Sequence, residues 1–386
     1  MSPVNQAKSS ELPFVNEVRL NARQWLVACV VILAAVTLSP WLWKKTERFS
    51  TGQDYRLPYA LSKDYWLYER RLEGIDPTQI VVIGDSVVWG EYVSRYGTLS
   101  HFLNEDAGAS NRFINAGVNG LFPLALEGLV RHYGRPLQHR KVILHCNLLW
   151  MTSPKADLST DKEESFNHAQ LVPQFSPKIP CYRADASARL DAVVERNFPF
   201  LQWVGHLQSA YFKQQSIPKW TLSEEGGDPP RYPNVYRNPL RQITFAVPPE
   251  PAADPERGPL SVRHKPWSTN AAGTTHFDWV APDHSLQWQA FQRLIEILRK
   301  RNNDVLVVVG PFNEHLMADE NRAAYRKIRD EIQSWLLSRQ IAHVVPEPLP
   351  GLLYADASHP LTAGYELLAK RLVADEQFRK WMNAEP

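Results

Sequence analysis

The chain has 386 residues, 44% of them apolar, a net charge of +2 and three cysteines. That apolar content is enough for a buried core, and the near-neutral charge with no long basic run argues against a nucleic-acid footprint. Cys29 sits in an apolar run, so Cys146–Cys181 is the one bridge left open, and there is neither a disulfide framework nor a zinc-ligand spacing.

In chain order, the first element is an uncharged stretch. Arg23 and Lys44 bracket 20 residues, Gln24 to Trp43, with Trp25, Trp41 and Trp43 near the ends. At helical rise this spans about 30 Å, the thickness of a bilayer's hydrocarbon core, and tryptophans favour its interfaces. Residues 24–43 therefore read as a single membrane anchor behind a tail, 1–23. A cleaved signal peptide is the alternative. The long leading segment with Glu11 and Glu17 and the length of the apolar run argue against it. Lys8, Arg19 and Arg23 before the span balance Lys44, Lys45 and Arg48 after it. A short tail inside and a large domain outside is the expected arrangement, which makes the remainder extracytoplasmic.

Residues 44–78 read as a stalk leading into a helix around DYWLYERRLEG. Short apolar runs then alternate with helical patterns. IVVIGD (80–85), RFINAG (112–117), KVILHCN (141–147), DVLVVVG (304–310) and IAHVV (341–345) read as buried strands. Residues 90–105, 124–134, 285–301, 322–340 and 363–373 read as helices, the last of them the final element. Continuous apolar strands between helices predict an α/β fold with a parallel sheet covered on both faces, and such sheets carry their chemistry at the strands' carboxyl ends. The α/β domain is expected over 79–150 and 284–386. Residues 151–283 break the rhythm with PKIPC, EEGGDPPRYP and AVPPEPAADPERGP, and read as a long Pro-rich stretch, either an insertion capping the sheet or a partly disordered excursion. Its Trp203, Tyr211, Trp220, Tyr232 and Tyr236 are either sugar-stacking surfaces or the insertion's own core. The 12 histidines show no HExxH spacing, and there is no GxGxxG or Walker loop, so neither a metal nor a cofactor is expected.

Two short motifs carry the chemistry. Gly84-Asp85-Ser86 ends the first predicted strand and opens a helix. Asp and Ser are good helix caps, which accounts for the triplet without function. A nucleophilic serine would also benefit from this place, because backbone N–H groups and the helix N-terminus favour a developing oxyanion. Near the other end, YADASHPLTAG puts Asp356 and His359 three apart in a loop before the last predicted helix. One loop can thus supply both a base and the carboxylate that orients it.

The pair of motifs resembles the SGNH, or GDSL, hydrolases, serine esterases and acyltransferases on a flavodoxin-like three-layer α/β sandwich. By that resemblance Ser86 is the nucleophile, His359 the base and Asp356 the acid. NAGVNG (115–120) is similar to the family's second block, which makes Gly120 an oxyanion donor, with Gly117 the fallback. HCNLL (145–149) places Asn147 as the second donor, although the family's usual Gly-x-Asn-Asp is His145-Cys146-Asn147-Leu148 here. The layout of anchor followed by catalytic domain is similar to members that modify envelope polymers, such as the D-alanyl transfer and alginate O-acetylation proteins. The resemblance implies an acylated envelope glycan or small ester as substrate, acetyl as the acyl group, and a membrane acyl-donor protein as a partner. Two alternatives remain open: esterase against transferase, and an inactive scaffold that binds a glycan or membrane partner.

Overall fold

A computed structural model describes residues 20–49, 52–108, 111–222, 237–247, 265–269 and 273–384. Lys8, Glu11, Glu17, Arg19, Tyr232 and Tyr236 lie outside the described residues, as does most of the Pro-rich 223–264 stretch. The chain divides into two units, Met1–Lys45 and Thr46–Pro386. Helix α1, Ala22–Thr46, is long and apolar enough to cross a membrane. Its Trp25, Leu26, Val30 and Leu33 are exposed.

The second unit is built on five parallel strands in the order β2-β1-β3-β4-β5. They are β1 Ile80–Ile83, β2 Phe113–Asn115, β3 Lys141–Cys146, β4 Asp304–Val309 and β5 Ala342–Val344. Val81 pairs with Ile114 on one side and Val142 on the other, and Ile143 pairs with Leu306. Strand residues alternate between two cores, as the two-residue period of a strand demands. Val81, Ile83, Leu144 and Val307 join Leu126, Leu129, Phe291, Leu294 and Ile332 on one face. Ile80, Val82, Ile143 and Leu306 join Leu103, Leu368, Leu372 and Phe378 on the other. Helices therefore cover both faces. This explains why the strands read as unbroken apolar runs rather than alternating ones.

The helices α2 Tyr65–Glu73, α3 Ser86–Trp89, α4 Leu99–Asp106 and α5 Pro123–Tyr133 precede β4. Leu286–Lys300, Arg322–Ser338 and Thr362–Ala374 lie where their periodicity placed them. Three expectations are corrected. The helix read over 90–105 begins at Leu99, because Gly90 and Tyr92 both take positive φ and break the run after α3. The helix at 363–373 is not the last: Glu376–Asn383 follows, capped by Asp375 and burying Phe378 and Trp381. Cys146 and Cys181 are both free thiols, so the one bridge left open is not made. Within 151–283 the described residues include two consecutive helices, Ala186–Asn197 and Pro199–Tyr211. There Tyr211 and Trp220 are buried and Trp203 is partly so.

Candidate active site

The site begins where β1 ends. Gly84 has no room for a side chain, since a Cβ there would lie 2.5 Å from Val88 and 3.1 Å from His145. The close turn delivers Asp85 as the N-cap of α3, its Oδ1 accepting from the Val87 N–H at 3.0 Å. Ser86 is the first residue of that helix and is partly exposed.

His359 reaches Ser86 from the far end of the chain. Its Nε2 lies 2.8 Å from Ser86 Oγ, and its Nδ1 lies 2.8 Å from Asp356 Oδ2. Asp356 Oδ1 also accepts the N–H groups of Ser358 and His359, both at 2.9 Å. Burial pushes the His359 imidazole down, but the hydrogen bond and charge of Asp356 outweigh it, and Glu91 and Asp85 add to them; the ring is held above its ordinary 6.5. Burial likewise raises Asp356, and the His359 ring with the two backbone N–H donors brings it below the usual carboxylate range. The Nδ1–H of His359 donates to Asp356, which leaves Nε2 to face the serine hydroxyl.

Three further side chains fix these loops. Asn313 Nδ2 donates to Asp356 O at 3.0 Å, and its own N–H donates to Ala357 O at 2.9 Å. Tyr365 Oη donates to Val87 O at 2.7 Å, joining the helix after His359 to the helix that starts at Ser86. Arg56 Nη1 donates to Trp89 O and Gly90 O at the other end of α3.

Asp85 is almost wholly buried. Its Oδ2 accepts from Asn147 Nδ2 at 2.8 Å and from Trp150 Nε1 at 3.1 Å. His145 Nδ1 stands 3.7 Å from Oδ1, beyond hydrogen-bond reach, while its Nε2–H donates to Gly310 O at 3.0 Å. Burial would raise Asp85, but His145, Asn147 and His359 together hold it below the ordinary range. Burial keeps Cys146, beside these residues in sequence, a thiol.

In its comparisons with known proteins, the chain matches no family model and no curated protein.

The residues singled out from sequence are distributed as follows. Ser86, His359 and Asp356 are brought into one hydrogen-bonded line. Asn147 joins them: its amide nitrogen bonds Asp85, the neighbour of Ser86, and at 3.3 Å Ser358 Oγ, the neighbour of His359. Gly120 takes φ +75 and lies against Asn167 and His168, so a Cβ there would strike the Asn167 amide. Gly117 has its N–H engaged by Asn115 Oδ1 at 3.0 Å, and a Cβ on it would lie 2.4 Å from Trp89 N. The described residues contain no group of three His, Cys, Asp or Glu placed to hold a metal.

Sequence reasoning missed Asp85 as a buried hub, Asn313, Tyr365, Arg56 and Glu91. Glu91 Oε2 is 3.5 Å from His359 Nε2, on the side of the ring that faces Ser86. Only Asp85 and Glu91 carried a local signal, by flanking the motif. The others are placed by tertiary contacts.

Proposed function

We propose that this chain is a membrane-anchored serine esterase or O-acyltransferase of the SGNH type, on a flavodoxin-like three-layer fold. The observation that carries the reading is the line Ser86–His359–Asp356, drawn from positions 273 apart in the chain. The strand order is the one flavodoxin-like sheets use, and Ser86 follows β1 at a carboxyl end, where such sheets carry their ligands.

In this reading Ser86 Oγ bonds the ester carbonyl carbon as its proton passes to His359 Nε2. The tetrahedral adduct collapses, the C–O bond to the leaving alkoxide breaks, and that alkoxide takes the proton back from Nε2. Water or a second hydroxyl then repeats the sequence on acyl-Ser86, giving hydrolysis or transfer. Asp356 keeps the Nδ1–H directed at itself and stabilises the imidazolium. Ser86 N–H, Gly120 N–H and the Asn147 amide are the donors assigned to the oxyanion. For Asn147, the 3.3 Å contact to Ser358 is the bond an oxyanion would replace. The substrate class is an acylated envelope glycan or small ester, acetyl being the simplest acyl group. The catalytic unit is assigned to the extracytoplasmic side, with a membrane acyl-donor protein as partner.

One observation favours a second reading, an inactive scaffold that binds a glycan or membrane partner: Asn147 already has polar partners in Asp85 and Ser358. The full chain in detergent, treated with a fluorophosphonate probe and with p-nitrophenyl acetate beside Ser86→Ala, separates the two. The hydrolase reading expects label on Ser86 and a fall of about 1,000-fold or more in ester cleavage for the variant. No label, with equal cleavage by both proteins, leaves the scaffold.

A further inference from the structure

Glu91 follows the C-terminal turn of α3. Its N–H donates to Ser86 O at 2.9 Å, and Gly90, at φ +90, reverses the chain there. The reversal carries the Glu91 carboxylate back toward the helix start, to 3.5 Å from His359 Nε2, with 25% of the side chain exposed. The imidazole thus stands between two carboxylates, Asp356 at Nδ1 and Glu91 at Nε2. Ser86 Oγ shares the second position and is the nearer of the two at 2.8 Å.

Resting on the Ser86–His359 reading, we propose that Glu91 is a positioning residue of this site, holding the protonated His359 ring while Ser86 is being acylated. The need follows from the chemistry. Once Oγ has given its proton to Nε2 and bonded the acyl carbon, it is a poor acceptor. The Nε2–H must then face some other acceptor until the leaving alkoxide takes the proton. A carboxylate 3.5 Å away on that side fills the interval, and its negative charge favours imidazolium over neutral imidazole.

Among the described residues, the other groups around the ring do not take this place. The Tyr92 ring stands T-shaped to the imidazole at 5.4 Å between centroids. Asp85 is bound to Val87, Asn147 and Trp150, with His145 beside it. Tyr365 is bound to Val87 O. Arg56, a cation near this turn, donates to the carbonyls of Trp89 and Gly90.

His359 must be neutral to act as base, so the acid limb of Ser86 reactivity reports its protonation. The test measures the rate of fluorophosphonate labelling of Ser86 against pH in the full detergent-solubilised chain, for wild type, Glu91→Gln, Glu91→Ala and Glu91→Asp. An opposite charge at this range shifts a titration by about one to three pH units, and partial exposure puts Glu91 at the low end. The limb is expected to move about one unit toward lower pH in Glu91→Gln and Glu91→Ala. Glu91→Asp, which keeps the charge, is expected to stay nearer wild type. A purely structural role would lower the plateau without moving the midpoint. Labelling of Ser86 with the same midpoint in wild type and both uncharged variants overturns this inference and leaves the hydrolase reading standing. No labelling of Ser86 in wild type at any pH overturns both. The alanine variant keeps the test open if the amide disturbs the turn.

Discussion

Asp85 accepts hydrogen bonds from three donors, the Val87 N–H, the Asn147 amide and the Trp150 indole. It is a pure acceptor among donors, so its charge is matched rather than merely tolerated. Asp85→Asn would turn an NH₂ group toward one of those donors and leave buried polar groups unpaired. The expected cost is about 1–3 kcal/mol of stability, the usual penalty for such a group. It would be read from the denaturation midpoint of the full chain. An unchanged midpoint would mean that the carboxylate is not the hub. The adjoining Ser86 was legible from sequence as a place where a nucleophile benefits, because the glycine turn and helix start are local. The Asp356–His359 pair was legible for the same reason, three residues in one loop. Asp85's partners at 147 and 150, and Glu91's approach to a ring at 359, depend on how β1, β3 and the last loop come together. No local pattern encodes them.

At the scale of elements, the strands were readable because each is buried on both faces and so is continuously apolar, whereas the 90–105 run misled. Tyr92, Val93, Tyr96, Leu99 and Phe102 have helical spacing. The positive φ of Gly90 and Tyr92 overrides it, and only the part after Thr98, which caps α4 through the His101 N–H, is α-helical. One contact that joins two helices at the site is Tyr365 Oη to Val87 O. Tyr365 is fully buried, so Tyr365→Phe removes one hydrogen bond while keeping the packing. It leaves a buried carbonyl short of a donor and should cost about 1 kcal/mol. Because α3 carries Ser86, the same variant should also slow fluorophosphonate labelling. A stability loss with wild-type labelling would mean that this bond supports the fold and not the nucleophile.

At the scale of the whole second unit, a buried ionic cluster joins chain segments that no local pattern connects. His206, on the helix Pro199–Tyr211, has Nδ1 at 2.7 Å from Asp64 and Nε2 at 2.8 Å from Glu47. Arg70 and the Tyr211 hydroxyl also donate to Glu47. Both ring nitrogens face carboxylates, so a neutral imidazole would set a lone pair against one of them. Burial works against the charged ring, but Asp64 and Glu47 more than offset it and raise His206 from 6.5 to about 9. A raised folded-state value means the contribution to stability is complete below the unfolded value near 6.5. Between there and about 9 the unfolded chain releases its proton while the folded one keeps it, so stability falls as pH rises, by at most about 1.4 kcal/mol per unit. Above about 9 nothing of this contribution remains. His359, also raised, slopes the same way, so the decisive quantity is the difference between wild type and His206→Gln. That difference should be largest at pH 6 and shrink steadily toward pH 9.5 when unfolding of the full chain is followed by denaturant titration. A difference that stays constant across that range would mean that His206 is held neutral in the folded chain.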